Sequence, residues 1–208
     1  MLGQLLPAVR ATIVIAALTG IAFPVILTLL SQVLFPEQAN GSLVRNKQGQ
    51  VIGSRLIGQQ FTKPEYFHSR PSAAGAGYAG EASGGTNLGP TSSKLILGLP
   101  DDPNTKETDE SYAGVKQLSQ AYRQENLLAD SEKPPVDAVT RSGSGLDPHI
   151  SVVNAMYQAR RVAKARGIDL SRVQDLVKSQ SEPRQLGFLG EPKVNVLMLN
   201  IALDEIKE

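Results

Sequence analysis

The sequence contains no cysteine and no tryptophan, and it has only two histidines. Without cysteine, the chain can form neither disulfides nor cysteine-based zinc sites. The formal net charge is +1 over 208 residues, so the chain lacks the basic excess that a nucleic-acid-binding domain usually carries. The length suits one domain of ordinary size with an appendage.

Charge is also missing near the start of the chain, where no charged residue occurs between Arg10 and Glu37. Residues 11–35 are almost entirely apolar. As a helix they would reach about 38 Å, which exceeds the ~30 Å hydrocarbon core of a bilayer. We therefore predict a transmembrane helix at 11–35, preceded by a short cytoplasmic N-terminus at 1–10. Pro24 lies in mid-span and is expected to kink the helix.

Two other interpretations of this segment are less favourable. A cleaved signal peptide would have a shorter apolar region, of about 7–15 residues, followed by a small-residue cleavage site that is not found here. A buried core helix would show a polar face, which this segment lacks. Arg10 precedes the span and Glu37 follows it directly, so the positive-inside rule favours an exported domain at 36–208.

The rest of the sequence alternates strand-like and helix-like segments, which predicts a mixed α/β (α+β) domain behind the transmembrane helix. Leu43, Val44 and residues 51–57 flank a turn at Gly49 and predict a β-hairpin. The stretch 62–105 is rich in Gly, Ser and Pro but contains spaced aromatic residues, so we expect an ordered irregular loop against the core. The other predicted elements are a helix at Glu107–Leu128 with Asp109 as candidate cap, a strand at Val136–Thr140, a helix at Ser171–Lys178 capped by Asp169 or Ser171, and a last helix after Pro192.

The clearest helix of this domain is predicted at Ser151–Arg166, where apolar residues recur at helical spacing. Asp147-Pro148 suits an N-cap followed by proline at the first helical position, and Gly167 suits the residue after the helix end. One flank beside the apolar stripe carries Asn154, Gln158 and Arg161.

Two glycine-rich turns are candidates for anion binding: SGGTNLGP at Ser83–Pro90 and SGSGLDP at Ser142–Pro148. Successive backbone N–H groups in such turns can form a nest around a phosphate. Neither turn matches the Walker A pattern, because no lysine follows the glycines at the required spacing. A structural turn and a phosphate cradle both stay open as interpretations.

No catalytic constellation is found among the polar residues. His68 and His149 lack the spacing of metal ligands, so no metal site is predicted. Neither Ser142 nor Ser144 lies in the G-x-S-x-G turn of a serine hydrolase. The basic cluster Arg160, Arg161, Lys164 and Arg166 is interpreted as a solvated helix face or as a docking surface for an acidic partner.

Taken together and in order, several segments resemble one known family. These segments are QANGSL (38–43), IGQQF (57–61), YFHSRPS (66–72), SGGTNLGP, SGSGLDPHIS with Gln158 and RVAKAR (161–166), and LGEPKVNVLMLNIALD (189–204). They resemble the C subunit of the Kdp system, the bacterial high-affinity potassium-transporting P-type ATPase. Thr86 stands where the family pattern would have serine, which keeps a hydroxyl.

The resemblance implies a non-catalytic, single-pass subunit of the bacterial cytoplasmic (inner) membrane. The implied partners are a potassium-channel-like subunit, an ATPase subunit phosphorylated on aspartate, and a very small membrane subunit. The family member is described as supporting assembly and as a catalytic chaperone that raises the ATP affinity of the ATPase subunit. No tightly bound cofactor is implied, ATP is the ligand that the family description allows, and potassium is handled by the partner subunit.

The resemblance also implies particular site residues. The nucleotide-binding candidates are Gln158 and the turn residues Ser142, Gly143, Ser144 and Gly145. The other motif residues are Arg70, Pro71, Gly84, Gly85, Asn87, Asp147, Asn195 and Asn200. An exported domain cannot reach cytosolic ATP, however, so we expect it to cap the outer mouth of the potassium subunit and expect Gln158 to brace the Ser142–Asp147 turn. The alternative is a membrane-anchored extracytoplasmic adaptor or binding module that caps a channel-like partner.

Overall fold

The computed structural model describes residues 2–99 and 112–206. It divides into two compact units, Met1–Ser54 and Arg55–Glu208. The predicted helix at Glu107–Leu128 is described only in part, and its candidate cap Asp109 lies outside the described residues.

The first unit begins with one continuous helix of 30 residues at Leu5–Leu34. By its length and composition this helix could cross a membrane, and none of its most apolar stretch is buried against the rest of the protein. It starts six residues earlier than the predicted span of 11–35. The helix consists of α1 (Leu5–Ala17), a π-helical turn (Leu18–Ala22) and α2 (Phe23–Leu34).

The π-helical turn has a physical cause in Pro24. Proline has no N–H to donate to Gly20, four residues earlier, and its ring would collide with that carbonyl in a regular α-helix. A wider turn just before the proline relieves both problems. The helix also satisfies its own hydroxyls, since three threonines donate to the carbonyl four residues earlier at 2.8–2.9 Å: Thr12, Thr19 and Thr28.

After the short helix α3 (Pro36–Ala39), the predicted hairpin is confirmed. Strands β1 (Leu43–Arg45) and β2 (Val51–Ser54) pair in antiparallel register, with Leu43 opposite Ser54. Gly49 has φ +78° in the turn, a conformation that glycine adopts without steric cost. The second strand ends at Ser54 rather than at residue 57.

The second unit packs helices against a small antiparallel sheet. The sheet has the strand order β3-β5-β4, with β3 at His149–Ser151, β4 at Ser181–Glu182 and β5 at Lys193–Asn195. The helices are α4 (Ser93–Leu97), α5 (Val115–Glu125), α6 (Val136–Val139), α7 (Val152–Arg166), α8 (Leu170–Ser179) and α9 (Val196–Asp204). The main core comprises Phe67, Ile150, Ala155, Ala159, Val162, Ala163, Val173, Val177, Val194, Val196, Leu199 and Leu203.

Helix α7 lies almost where it was predicted, but its N-cap differs. The Ser151 hydroxyl accepts a hydrogen bond from Asn154 N at 3.1 Å, which makes Ser151 the cap. The predicted cap at Asp147 is wrong, because the residues after Pro148 form strand β3 before the helix begins. Gly167 ends the helix in the left-handed conformation with φ +68°, as predicted.

The strand predicted at Val136–Thr140 is also wrong, because Val136–Val139 forms the short helix α6. Pro135 fixes the backbone at the helix entrance, and the Thr140 hydroxyl donates to Val136 O at 2.7 Å. Local helix chemistry therefore prevails over the β-branched composition.

The other predicted helices are present with small shifts. Helix α5 covers Val115–Glu125 of the longer predicted range, and α8 has Asp169 as its N-cap residue. Helix α9 follows β5, and its N-cap Asn195 accepts from Met198 N at 3.2 Å. Through residue 99, the predicted irregular loop is ordered against the core, since Phe67 is fully buried.

Candidate functional site

The backbone segment 64–68 is held by side chains from two helices rather than by a strand partner. Arg161 donates to Pro64 O at 2.5 Å and to Tyr66 O at 2.9 Å. Helices α7 and α9 satisfy the other three carbonyls of the segment: Arg166 donates to Glu65 O at 2.8 Å, Asn200 to Phe67 O at 3.0 Å, and Gln158 to His68 O at 3.0 Å. We call this arrangement the 64–68 clasp.

Two amides of the clasp also accept from the segment. Phe67 N donates to Asn200 Oδ1 at 2.8 Å, and His68 N donates to Gln158 Oε1 at 2.7 Å. Each amide thus makes the pair of hydrogen bonds that a neighbouring strand would make. Buried backbone polar groups need such partners, because an unpaired group costs about 1–3 kcal/mol.

Gln158 has no hydrogen-bonding capacity left for a ligand in this arrangement. Its amide nitrogen also donates to Asn154 Oδ1 at 2.9 Å, and its oxygen also accepts from Arg161 at 3.0 Å. A terminal amide donates two hydrogen bonds and accepts two, so all four are used, and the side chain is 2% exposed. The expectation that Gln158 braces the Ser142–Asp147 turn is wrong, because its partners are His68, Asn154 and Arg161.

Arg161 is the most buried cation of the clasp, with 5% exposure. Burial lowers the pKa of its guanidinium, and the nearby Glu125 carboxylate, 3.7 Å away, acts in the opposite direction. Its Nε donates to Asn126 Oδ1 at 3.1 Å. Arg161 therefore belongs neither to a solvated helix face nor to a docking surface.

Two other members of the predicted basic cluster are paired as well. Arg166 lies 2.6 Å from an oxygen of Asp204, and Arg160 lies 3.2 Å from an oxygen of Glu132. Arg160 and Lys164 are the exposed members of the four.

The two glycine-rich turns lie against each other. Gly84 N donates to Ser144 O at 2.9 Å, and the Ser83 hydroxyl donates to the same oxygen at 3.0 Å. A Cβ at Gly85 would lie only 2.8 Å from Gly143 O. Glycine at this position allows two backbones to approach more closely than any side chain would permit.

Gly145 is the tightest point of this contact. It has φ +69°, and an added Cβ would lie 2.7 Å from both Ala74 N and Gly84 O. Its own carbonyl accepts from the Ser72 hydroxyl at 2.6 Å. The glycine is therefore required by both its backbone conformation and the space around it.

The 142–148 turn already uses several of its backbone donors internally. Gly145 N donates to Ser142 O at 3.3 Å, and Leu146 N donates to the Ser144 hydroxyl at 3.1 Å. These N–H groups do not converge on an open anion site. The interpretation as a structural turn accounts for the contacts.

Asp147 connects this turn to the segment 66–72. It forms an ion pair with Arg70 at 2.9 Å and accepts from His149 N at 3.0 Å. Burial alone would raise the pKa of the Asp147 carboxyl, but hydrogen bonds from His149 and Arg70 outweigh burial and lower it to about 2. The carboxylate is thus held ionised as a structural partner.

A cavity of about 370 Å³ lies beside the clasp. Arg70, Pro71 and Gln158 are among its lining residues, whereas the turn residues Ser142, Gly143, Ser144 and Gly145 are not. The residues that the family resemblance implied for nucleotide binding therefore lie in two separate places. Asn87 also lies away from the cavity, exposed and with φ +53°.

Both basic side chains that line the cavity already face carboxylates. His68 Nδ1 lies 2.7 Å from Glu125 Oε1, and Arg70 is paired with Asp147. The hydrogen bond from His68 lowers the pKa of Glu125 and outweighs the effect of burial. A triphosphate would have to compete with these carboxylates for each cation.

A buried network that the sequence analysis missed supports the clasp from the other side. The Tyr122 hydroxyl donates to Asn154 Oδ1 at 2.8 Å, and Asn154 Nδ2 donates to Asp137 at 3.0 Å. Asp137 also accepts from Ser151 N at 2.7 Å. The shared flank of Asn154, Gln158 and Arg161 was a signal of this network, but only the fold turns that flank inward.

Within residues 2–99 and 112–206, no group of three or more His, Asp or Glu side chains is placed to hold a metal ion. His149 Nδ1 lies 3.6 Å from Asp147, and its Nε2 lies 3.9 Å from Glu182.

Comparison with known proteins gives one consistent result. Residues 5–205 match the family model described as K+-transporting ATPase, c chain. The chain is 51% identical over 203 residues to the potassium-transporting ATPase KdpC subunit of Mycobacterium bovis, covering 98% of each chain. The chain belongs to the KdpC family.

Similar identity extends to KdpC subunits from other bacteria. The identity is 50% over 205 residues with that of Myxococcus xanthus, covering 98% of this chain and 89% of the relative. It is 50% over 207 residues with that of Rhodospirillum rubrum, covering 99% and 97%. This KdpC-family chain is thus an accessory subunit of a potassium-transporting ATPase, with one long apolar helix at its N-terminus.

Proposed function

We propose that this KdpC-family chain is the non-catalytic assembly subunit of an ATP-driven, high-affinity potassium uptake complex. The helix Leu5–Leu34 anchors it in the bacterial cytoplasmic membrane, and its C-terminal domain lies on the extracytoplasmic side. There the domain acts as a rigid adaptor that caps a channel-like potassium subunit. The ATPase subunit and a very small membrane subunit complete the assembly.

The single observation that carries this proposal is the saturation of Gln158. Its amide makes four hydrogen bonds within the protein, three of them to the clasp and its arginine. A residue that contacts nucleotide would have to give up some of these bonds. Arg10 before the helix and Glu37 after it further support an exported domain, which would not meet cytosolic ATP.

A second candidate function is the catalytic chaperone that raises the ATP affinity of the ATPase subunit. One observation favours it: Arg70 Nε, beside the 370 Å³ cavity, is buried and has no hydrogen-bond partner in the described structure. The cavity volume also falls within the range of small-molecule sites, about 300–1,000 Å³.

The substitution Gln158→Ala in the assembled complex separates the two candidates. The structural role predicts that the complex melts earlier, with the unfolding free energy of the domain lowered by about 1–3 kcal/mol. It also predicts an unchanged ATP concentration for half-maximal activity. The chaperone role predicts the reverse: unchanged melting and a raised ATP requirement. Gln120→Ala on the exposed face of α5 is the matched control and should change neither quantity.

A topology reporter tests the location of the domain independently. A reporter enzyme that works only outside the cytoplasm should be active when it is fused after Glu208. A reporter that works only in the cytoplasm should be inactive at the same position. Activity confined to the cytoplasm would reverse the proposed orientation and support the chaperone role instead.

A further inference from the structure

The imidazole of His68 connects two walls of the cavity beside the clasp. His68 belongs to the segment 60–78, which supplies one wall, and Glu125 belongs to α5, which supplies another. The Nδ1 atom of the ring lies 2.7 Å from Glu125 Oε1, and its Nε2 atom lies 2.9 Å from Lys63 O. One ring therefore links helix α5 to the backbone that leads into the clasp, and we call this link the His68 tie.

Both ring nitrogens of the tie face an oxygen that can only accept a hydrogen bond. The carbonyl of Lys63 carries no proton. Glu125 is a carboxylate near neutral pH, because the hydrogen bond from His68 lowers the pKa of its carboxyl and outweighs burial. A neutral imidazole has one N–H donor, whereas the protonated ring has two. Both hydrogen bonds can therefore form together only when the ring carries both protons.

Arg161 of α7 is the other charged group that faces the ring. Its Nη1 lies 3.5 Å from His68 Nε2, but the same atom is closer to two backbone carbonyls of the clasp, at 2.5 and 2.9 Å. The carbonyl of Lys63 is thus the nearer partner of Nε2. Arg161 repels a protonated ring, whereas the Glu125 carboxylate, 3.7 Å from Arg161 Nε, attracts both cations.

The charged side chains on the segment of the ring itself are paired with each other or with the 142–148 turn. Lys63 Nζ lies 4.0 Å from Glu65, and Arg70 forms its ion pair with Asp147. The charge state of the tie therefore depends chiefly on His68, Glu125 and Arg161.

Helix α5 is placed so that the tie affects how firmly it is held. The main core is built from Phe67, α7, α8, α9 and the small sheet, and α5 packs against a separate cluster around Tyr122. Hydrogen bonds of Tyr122 and Asn126 connect α5 to α7. Glu125 connects it to the segment 60–78 on the cavity side.

Solvent protons can reach the tie, since the side chain of His68 is 20% exposed and that of Glu125 is 41% exposed. Histidine is the side chain that ordinarily gains or loses a proton between pH 5 and 8. Carboxylates and guanidinium groups ordinarily keep their charge in this range. A change of pH within it therefore acts on the ring and leaves its two charged neighbours as they are.

We propose that His68 is a proton-controlled tie between helix α5 and the segment 60–78. With the ring protonated, the tie reaches both Glu125 and the carbonyl of Lys63. When the proton leaves, one nitrogen becomes an acceptor that faces an oxygen, and that end of the tie opens. The stabilisation is thus present at low pH and is lost as the pH rises, which is the opposite sign to that of Asp147.

The tie itself is independent of the orientation and nucleotide questions. Its physiological signal is not: with the extracytoplasmic location proposed above, the tie responds to the acidity of the medium.

The pH dependence of unfolding tests the tie in the full-length chain in detergent. The chain has two histidines, and His149 is the matched control because its nitrogens lie 3.6 Å from Asp147 and 3.9 Å from Glu182, beyond hydrogen-bond distance. We expect the unfolding equilibrium constant to rise about fivefold between pH 5.5 and pH 8. A fully buried charged hydrogen bond would give more, but Glu125 is partly exposed. His149→Gln should keep this rise, and His68→Gln should lose it.

Glu125→Gln is the second variant, at a partly exposed position of α5 where folding is expected to persist. It keeps an acceptor oxygen but removes the charge that the protonated ring pairs with, so the rise should become smaller than in the parent chain. The proposal is overturned if the parent chain shows no rise, if the rise survives in His68→Gln, or if it disappears in His149→Gln.

NMR spectra of the ¹⁵N-labelled imidazoles give a readout that does not depend on stability. The two variants that lack one histidine assign the signals. At pH 5.5 both N–H groups of His68 should exchange slowly with water, because both are hydrogen-bonded, whereas those of His149 should exchange rapidly. At pH 8 the His68 ring should show one N–H group. A neutral His68 ring at pH 5.5, or rapid exchange at both of its nitrogens, would contradict the tie.

Discussion

The apolar helix Leu5–Leu34 and the 64–68 clasp satisfy their backbone hydrogen bonds in opposite ways. The helix pairs its own N–H and C=O groups locally, and even its threonine hydroxyls donate to carbonyls four residues earlier. The clasp finds few partners nearby in the chain: among its backbone groups, Tyr66 N donates locally, to Lys63 O at 3.1 Å. Its carbonyls depend on side chains 90–133 residues away, such as Gln158 and Asn200.

The two regions are therefore sensitive to different kinds of substitution. The helix should tolerate exchange of one apolar side chain for another, because none of its most apolar stretch is buried in this chain, but it should not tolerate charge. The clasp should tolerate changes on its exposed face and fail when a single buried polar group is removed. Four substitutions, each with a matched control, test this contrast in order of decreasing expected effect: one in the clasp, one in the helix and two in the 142–148 turn, which also depends on distant residues.

Replacing Arg161 by methionine should be the most disruptive change in the clasp. It keeps the helix and the apolar stem but leaves Pro64 O, Tyr66 O and Asn126 without their donor. We expect the free energy of unfolding of the full-length chain in detergent to fall by about 3–5 kcal/mol. Lys164→Met on the exposed face of the same helix should change it by less than about 0.5 kcal/mol. Equal effects of the two substitutions would contradict the clasp.

The previous substitution removes a charge from the clasp, whereas Leu18→Arg adds a charge to the apolar helix. Insertion of this helix into a membrane should become less favourable by about 2.5–3.5 kcal/mol. The measurement is the fraction of the chain that stays in the membrane after alkaline extraction and that co-purifies with the complex. Leu18→Val should behave as the parent chain does. Unchanged recovery of the arginine variant would mean that the helix contributes little to anchoring.

Gly145→Ala and Gly143→Ala form a matched pair within one turn. At Gly145 the new Cβ meets backbone atoms at 2.7 Å with φ +69°, while at Gly143 nothing lies within 4 Å. We expect Gly145→Ala to lower the unfolding free energy by about 2 kcal/mol and Gly143→Ala to leave it nearly unchanged. If both substitutions raised the ATP concentration needed for half-maximal activity of the complex and left the unfolding free energy unchanged, the phosphate-cradle interpretation of this turn would regain support.

We expect the ionised Asp147 carboxylate to contribute about 1–2 kcal/mol to the free energy of unfolding, in a pH-dependent way. Its pKa in the folded chain is lowered to about 2, below the ~3.9 of an unfolded aspartate. The stabilisation it gives is therefore fully present above about pH 4 and is lost as the pH falls towards 2.

Chemical denaturation at pH 7, 4 and 2.5 checks this term. Asp147→Asn should destabilise the chain at pH 7 and flatten the decline in stability between pH 4 and 2.5. Asp175→Asn, whose carboxylate pairs with Lys178 at a site 72% exposed, should leave the pH profile of the parent chain in place. Identical pH profiles for both variants would show that Asp147 makes no specific contribution to stability at low pH.

Much of the fold could be predicted from sequence because its signals are local. The uncharged run between Arg10 and Glu37, the hairpin turn at Gly49 and the end of α7 at Gly167 all depend on the chemistry of neighbouring residues. Where two local signals competed, prediction failed. Val136–Thr140 has strand-like composition but follows a proline that starts a helix, and Asp147-Pro148 has the form of a cap but precedes a strand.

The sequence by itself determined the apolar helix, the mixed α/β class and the resemblance to the KdpC family, since each depends on composition, periodicity or ordered motifs. Only the tertiary structure decided what the motif residues do. It placed Gln158 on His68 rather than on the 142–148 turn, buried Arg161, and packed Gly85 against Gly143. These contacts join residues far apart in the chain, and a hydrogen bond between distant groups leaves no periodic trace in sequence.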